Sequence, residues 1–138
     1  MKHLPTIARI LLGLLFFIFG LNGFLNFIPP PPTGIPEGAM AFGAAMMKTG
    51  YLLQLLKGTE VLAGVLLLCN RFVPLALAVL APVIINIVAF HAFLAPSGLP
   101  VPLVIGLLEV YLAWCYRHLY RPMLAMRATP VARASAAV

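Results

Sequence analysis

Lys57 and Glu60, three residues apart in an otherwise apolar stretch, are the first pair of side chains in this sequence that could do chemistry. A second acid, Glu109, and a second polar pair, Asn86 and His91, occur in two further apolar stretches. Carboxyl, imidazole and ammonium groups are general acids and bases, and an amide side chain can orient a polar ligand. Because ionisable groups are costly to place in hydrocarbon, each of them needs a partner or a purpose.

The composition indicates what kind of elements must position these groups. The chain has 138 residues, of which 63% are hydrophobic and 9% charged, and its mean hydropathy is +1.08. A soluble domain is about half apolar and about a quarter charged, so the sequence predicts a small integral membrane protein. The net charge of +6 does not indicate nucleic-acid binding, because the basic residues flank apolar segments and form no patch.

Four apolar stretches are each long enough to cross a bilayer as a helix, which takes about 20 residues. They run from about 7 to 28, 51 to 69, 72 to 95 and 99 to 116, and turn-forming residues separate them. We therefore expect an all-α, four-helix membrane bundle over residues 1–124. Residues 125–138 are rich in Ala and Arg without a periodic pattern, which predicts a basic tail without ordered structure.

The placement of Lys and Arg predicts the orientation of the bundle. With four spans, Lys2, Arg9, Arg71 and the arginines that follow the last stretch fall on one side of the membrane, and Lys48 alone falls on the other. Cytoplasmic loops are enriched in Lys and Arg. We therefore expect both termini to be cytoplasmic.

The only long connection, residues 29–50, lies on the outer side in this arrangement. Pro36 and Glu37 are typical of a helix start, since proline suits the first turn and an acid suits the N-terminal dipole. Gly50 is typical of a stop. We expect a short interfacial helix that could cover the outer mouth of the bundle, and the alternative is a loop that rests on the membrane surface.

The polar residues form one layer when depth is counted at 1.5 Å per residue. Glu60, Asn86 and Glu109 each lie nine or ten residues from the outer end of their helices, a depth of about 14 Å. The other polar groups lie one or two turns further out. The candidate ligand-binding site is therefore an outward-opening polar layer of Lys57, Glu60, Asn86, Glu109, His91 and Asn22.

The charges within this layer do not balance completely. Lys57 can neutralise one acid, most simply Glu60 on the same helix face. Glu109 then needs His91 as a cation, an asparagine amide, or its own proton, because a buried carboxyl without a partner tends to stay protonated. Two interpretations follow: a polar staple that fixes helix register, or a pocket that binds a polar head group or handles a proton.

Other chemistries lack the residues that they need. The three histidines form no metal or haem set, since His91 lies near the outer face while His3 and His118 lie near the inner one. Cys69 and Cys115 form no CxxC pair, and a reducing cytosol favours buried free thiols over a disulfide. No phosphate-binding loop, catalytic triad or zinc-protease motif occurs. No metal or resident cofactor is therefore evident.

Several segments together resemble the DoxX family of small bacterial membrane proteins. The resemblance extends over about Ile7 to Leu124 and rests on Gly20–Phe24, Glu60–Gly64, Asn70–Leu77, Pro82–Asn86, Phe90–His91 and the segment around Glu109. It implies a four-helix bundle in the bacterial cytoplasmic (inner) membrane. Some relatives are linked to membrane redox complexes, and the family's name comes from a subunit associated with thiosulfate:quinone oxidoreduction.

The leading hypothesis is a small subunit of a membrane redox system that binds a quinone-like or other small amphipathic molecule in the outward-opening pocket. Lys57 could donate to a quinone carbonyl and Glu109 could exchange protons with it. Whether the protein is an enzyme stays open. Expected partners are the lipid bilayer and either a redox protein or further copies of this chain. The alternatives are a scaffold that recruits partner proteins and an oligomeric small-molecule transporter.

Overall fold

The computed structural model describes residues 3–29 and 34–127, and within these ranges the chain is helical and contains no strand. The helices are α1 (Leu4–Leu25), α2 (Glu37–Lys48), α3 (Leu52–Leu68), α4 (Val73–Leu94), α5 (Pro100–Cys115) and α6 (Arg117–Tyr120). Two short 3₁₀ turns, Pro96–Gly98 and Arg121–Leu124, complete the described elements. The predicted all-α class is confirmed. The predictions for Lys2, residues 30–32 of the proline run, Arg133 and the tail from 128 onward lie outside the described residues.

Helix length and hydropathy identify a membrane protein. Helices α1 and α4 have 22 residues each and are apolar enough to cross a bilayer. Helices α2 and α3 qualify together as a third candidate, with a bend of 95° between them. Helix α5 is apolar but has only 16 residues, which is near the lower limit for a span. The predicted crossing by all four long helices stays a prediction.

Four helices, α1, α3, α4 and α5, pack into one bundle in which α1 lies closest to α3. Gly13 and Gly64 allow this approach: a Cβ on Gly64 would lie 2.9 Å from the carbonyl oxygen of Gly13 and 2.7 Å from the amide nitrogen of Phe17. Small residues at such crossings let helix backbones touch. The close packing of α1 on α3 therefore fixes the direction in which Lys57 and Glu60 of α3 point within the bundle.

The bundle has two chemically different ends. One end carries Arg9, Arg71, Arg117 and Arg121, and we call it the basic end. At the opposite end, here the α2 end, lie α2 and the Pro96–Gly98 turn. Between them the largest fully buried side chains are all leucines: Leu12, Leu67, Leu77, Leu80 and Leu112. Many large apolar side chains on the outside of the bundle are exposed, as expected of a surface that faces lipid.

Helix α1 ends one turn earlier than its apolar pattern suggests. It was expected to reach Ile28 and instead stops at Leu25, because Asn26 adopts the left-handed conformation with φ 49°. Asparagine tolerates that conformation better than most residues. The side-chain oxygen of Asn22 then accepts a hydrogen bond of 2.6 Å from the backbone N–H of Ile28. Asn22 therefore secures the exit of the chain from α1.

The short helix expected in the first connection is present as α2. It begins at Glu37 directly after Pro36, and it ends before Gly50, whose φ of 77° turns the chain into α3. Glycine adopts positive φ without a steric penalty. The ring of Phe42 packs on Phe90 of α4 with centroids 5.5 Å apart. Helix α2 therefore lies across the end of the bundle.

Arg9 is buried at the basic end, although its place in the sequence predicts only a charged flank of the membrane. Its side chain is 7% exposed, and its Nη1 donates to the carbonyl oxygens of Leu67 and Leu68. These carbonyls belong to the last turn of α3, where backbone oxygens lack helical partners and the helix dipole is negative. Arg9 therefore caps α3 from the neighbouring helix α1.

Candidate functional site

A cavity of about 430 Å³ lies between α1, α3, α4 and α5, with α2 as its cover. We call it the α2 cavity. Its polar lining residues are Lys57, Glu60, Asn86 and His91. Its walls are mostly aliphatic and aromatic: Leu15, Phe16, Phe19, Phe42, Met46, Leu53, Leu56, Ile87, Phe90, Val101 and Ile105. Four of the six predicted site residues therefore share one apolar-walled space.

Lys57 and Glu60 form the ion pair that their spacing predicts. Lys57 Nζ lies 2.8 Å from Glu60 Oε2. The carboxylate is the deeper partner, since Glu60 is 2% exposed while the Lys57 side chain is 23% exposed. An ammonium group has three N–H donors, so the bond to Glu60 leaves two for another acceptor. The ion pair therefore has no net charge, and its ammonium group can still donate hydrogen bonds to a ligand in a largely apolar cavity.

Two glycines of α1 make room for this pair. A Cβ on Gly23 would lie 2.6 Å from Lys57 Cδ, and a Cβ on Gly20 would lie 3.1 Å from Glu60 Cβ and 2.8 Å from Val61 Cγ2. Real Cβ atoms do not approach other carbons as closely as 2.6 Å. The Gly20–Phe24 segment therefore acts in this fold as a groove for the polar face of α3. Its glycines were visible in the sequence, but only the register between α1 and α3 reveals what they face.

His91 is held in place at the α2 end of the cavity. Its Nδ1 lies 2.8 Å from the carbonyl oxygen of Ile87 one turn earlier, so Nδ1 carries the donated proton. The ring meets Phe90 edge-on with centroids 5.1 Å apart. A Cβ on Gly98 would come 2.7 Å from His91 Cδ2, so the turn after α4 closes against the ring. In the neutral tautomer, Nε2 remains an acceptor.

Asn86 and Asn22 differ in their relation to the cavity. Asn86 lines it but is an exposed residue of α4, so it lies at the rim. Asn22 does not line it, because its side chain is engaged with the backbone of Ile28 where α1 ends. The early end of α1 therefore separates Asn22 from the other predicted site residues that line the cavity.

Glu109 also lies outside the α2 cavity, so the structure does not bring it together with the other predicted site residues. With Leu77 and Ala81 of α4 it lines a different cavity, whereas Asn86 and Ile105 line the α2 cavity. Gly106 of α5 lies beside Ile84 and Val88 of α4, and Glu109 follows it by three residues, about one helical turn closer to the basic end. Counting residues from the helix ends missed this offset, because packing between α4 and α5 sets their relative height.

Glu109 lines a second cavity of about 410 Å³, which we call the basic-end cavity. The other lining residues are Leu77, Ala78, Ala81, Ala113, Arg117, Tyr120, Met123 and Leu124. Glu109 is 7% exposed, and among the described residues its Oε2 has no hydrogen-bond partner. His91, one of its expected partners, lines the other cavity. The Glu109 side chain, with one buried oxygen that has no partner in the described residues, therefore lines a mostly apolar space.

The two polar residues near the mouth of this cavity have other partners. Arg117 Nη1 donates to the carbonyl oxygen of Trp114 at 3.0 Å, and its guanidinium lies 4.6 Å from the centre of the Trp114 ring. The Tyr120 hydroxyl donates to the carbonyl oxygen of Pro74 at 3.0 Å. Burial, and secondly the charge of Glu109, raises the pKa of Tyr120. The hydroxyl stays protonated at neutral pH, and its bond to Pro74 ties α6 to the start of α4.

The cysteines and possible metal ligands add no further site in the described ranges. Cys69 and Cys115 are both free, as expected, but Cys69 is exposed instead of buried. It follows the last turn of α3, where the chain leaves the bundle. No group of three or more His, Cys, Asp or Glu side chains in residues 3–29 and 34–127 is arranged to hold a metal ion.

The model of the DoxX family matches residues 4–93, well over half of the chain. The matched segment includes α1 to α3 and nearly all of α4, and therefore Lys57, Glu60, Asn86 and His91, whereas Glu109 lies beyond it. Searches of curated proteins and of solved structures found no significant match. The chain belongs to the DoxX family, as its own motifs indicated.

Proposed function

We propose that the α2 cavity binds a neutral, flat amphiphile with a carbonyl acceptor, a quinone-like molecule, and that the protein serves as a small subunit of a membrane redox system. The observation that carries this proposal is the Lys57–Glu60 pair in an apolar-walled cavity. Lys57 donates to a ligand oxygen, while Glu60 holds the ammonium group in position.

The charge of the cavity favours a neutral ligand. Lys57 and Glu60 compensate each other at 2.8 Å, so neither an anion nor a cation would gain a net counter-charge. Burying an uncompensated charge in an apolar cavity is costly. A carbonyl, by contrast, needs only the hydrogen-bond donors that Lys57 still offers.

The size and walls of the cavity also fit this class of ligand. Small-molecule pockets commonly enclose about 300–1,000 Å³ and are lined mostly by apolar and aromatic side chains with a few polar groups. At about 430 Å³, with Phe42 and Phe90 near its cover, the α2 cavity has room for one substituted ring. The exposed position of Asn86 supports an opening there toward the bilayer, through which an isoprenoid tail could extend.

The redox role rests on the family. A quinone becomes a hydroquinone by taking up two electrons and two protons, and we propose that a partner redox protein supplies the electrons and that the aqueous phase supplies the protons. This chain binds and orients the quinone head. The location proposed with it is the bacterial cytoplasmic membrane, with both termini in the cytoplasm. The cluster of arginines at the basic end supports that orientation.

Binding of a decyl-substituted benzoquinone to the purified protein in nanodiscs tests the proposal. Bound quinone is quantified by mass spectrometry after washing. A double variant, Lys57→Met with Glu60→Met, removes the donors without leaving a buried charge unpaired. Loss of one hydrogen bond to a charged donor predicts affinity weakened about tenfold or more.

A matched control comes from the exposed Lys48→Met at the end of α2, which should bind the quinone as the wild type does. Circular dichroism and thermal unfolding establish that each variant is folded. If the folded double variant retains wild-type affinity, the pair is a structural staple and the quinone proposal is wrong. If the wild-type protein binds no quinone, the proposal also fails.

A further inference from the structure

We infer that the basic-end cavity is a second binding site, for a neutral amphiphile whose head group donates a hydrogen bond to Glu109. The site is separate from the α2 cavity, since no residue lines both. It also lies largely outside the segment matched by the family model, because Glu109, Arg117 and Tyr120 follow residue 93. The inference therefore does not depend on the proposed quinone site.

The unpartnered oxygen of Glu109 is the first observation behind this inference. Buried polar atoms nearly always have a partner, and one without a partner costs about 1–3 kcal/mol. Among the described residues Oε2 of Glu109 has none, although the residue is 7% exposed and lines a cavity of about 410 Å³. Because the Glu109 side chain lines the cavity, a ligand bound there would be placed to donate a hydrogen bond to its carboxyl group.

The walls of the cavity indicate that the rest of the ligand is apolar. Leu77, Ala78, Ala81 and Ala113 line the cavity together with Glu109. Met123 and Leu124, which complete the lining, are exposed at the basic end, so the cavity opens there. An alkyl or aryl body would replace solvent or loosely packed lipid along these walls.

The charge at the mouth argues for a neutral donor. Arg117 lines the same cavity and repels a cationic head group. An anionic head group would be attracted by Arg117 but has no hydrogen to donate to the carboxyl oxygen of Glu109 that lacks a partner among the described residues. Tyr120 already donates its hydroxyl proton to Pro74. An alcohol or phenol hydroxyl fits these constraints, since it donates one proton without bringing a charge.

Photolabelling of the full chain in nanodiscs tests this site. The probe is a long-chain alcohol with a diazirine close to its hydroxyl, and mass spectrometry of peptides locates the adducts. We expect adducts on the segment with Met123 and Leu124. The untagged alcohol should compete for labelling at a concentration about tenfold lower than its methyl ether, which lacks the donor.

Variants of the acids provide the matched comparison. Glu109→Leu removes the acceptor and should reduce labelling of the 123–124 segment about tenfold, whereas Glu37→Gln on the exposed start of α2 should not change it. The competition experiment uses the wild-type protein and so does not depend on whether a variant folds. If the alcohol and its methyl ether compete equally well, the inference is wrong. Adducts confined to Phe42 and Met46 also overturn it, while leaving the α2 cavity as a ligand site.

Discussion

The aliphatic stem of Lys57 lies against Gly23, so closely that a Cβ on Gly23 would come 2.6 Å from Lys57 Cδ. This contact joins the end of α1 to the ion pair of α3. Because Gly23 has no Cβ, the Lys57 side chain can lie beside Glu60 without a clash with α1. Two helices, and not α3 alone, therefore define the polar centre of the α2 cavity.

Gly23→Ala should consequently disturb the ion pair. The added methyl group must displace the Lys57 side chain, and overpacking of this kind costs about 1–3 kcal/mol. Thermal unfolding in detergent measures the loss. In the background of Lys57→Ala the stem is absent, so the same Gly23→Ala change should cost clearly less. Equal costs in both backgrounds would mean that the contact between Gly23 and Lys57 is unimportant.

The seam between α1 and α3 leads to a second prediction. At Gly64 a Cβ would lie 2.7 Å from the backbone nitrogen of Phe17, so Gly64→Ala must push the helices apart and lower the melting temperature. Gly58 is the control in the same helix, because a Cβ there meets nothing within 4 Å. Gly58→Ala should be neutral or stabilise by about 0.5–1 kcal/mol. Similar effects of the two variants would contradict the close packing at Gly64.

Arg9 should stabilise the basic end. Arg9→Met keeps much of the side-chain volume but removes the bonds to the carbonyl oxygens of Leu67 and Leu68. Hydrogen bonds from charged donors contribute about 1.5–3 kcal/mol each, so the free energy of unfolding should fall by a few kcal/mol at most. Chemical denaturation measures it. The exposed Arg71→Met should leave it nearly unchanged, and equal losses would contradict the capping role.

Cysteine labelling tests the proposed orientation. Cys69 is exposed at the basic end, and Cys115→Ser leaves it as the single thiol. A membrane-impermeant maleimide should label Cys69 only after the cytoplasmic membrane is permeabilised. Lys48→Cys, in a background without the two native cysteines, should react in intact cells with a permeable outer membrane. The reverse pattern would place the basic end outside.

The local features of this fold followed from the sequence because they depend on neighbouring residues. The spacing of Lys57 and Glu60 predicts their ion pair, and Pro36 and Gly50 predict the bounds of α2, which the structure confirms. The height of Glu109 did not follow. It depends on how α5 packs on α4, where Gly106 lies beside Ile84 and Val88. The number of residues from a helix end does not determine the relative height of two packed helices.

The contact of Arg9 with α3 was hidden for a similar reason. A basic residue near the start of an apolar segment is typical of a charged membrane flank, and nothing in its neighbours distinguishes the two roles. Only the approach of α1 and α3 at Gly13 and Gly64 brings the guanidinium to the last carbonyls of α3. The contact of Arg9 and the height of Glu109 both depend on how the helices pack, and residue spacing within one helix does not predict that packing.

The two buried acids should respond to the same substitution with opposite signs. Glu60→Leu leaves the ammonium group of Lys57 without its partner at 2.8 Å, so it should destabilise the bundle. Glu109→Leu removes a buried oxygen that has no partner among the described residues and replaces it with an apolar group of similar size, which should stabilise by about 1–3 kcal/mol. Thermal unfolding of both variants in the same detergent, after removal of bound lipid, measures the two effects. Destabilisation by Glu109→Leu under these conditions would mean that the carboxyl is already satisfied within the protein, and the basic-end cavity would then lose its free acceptor.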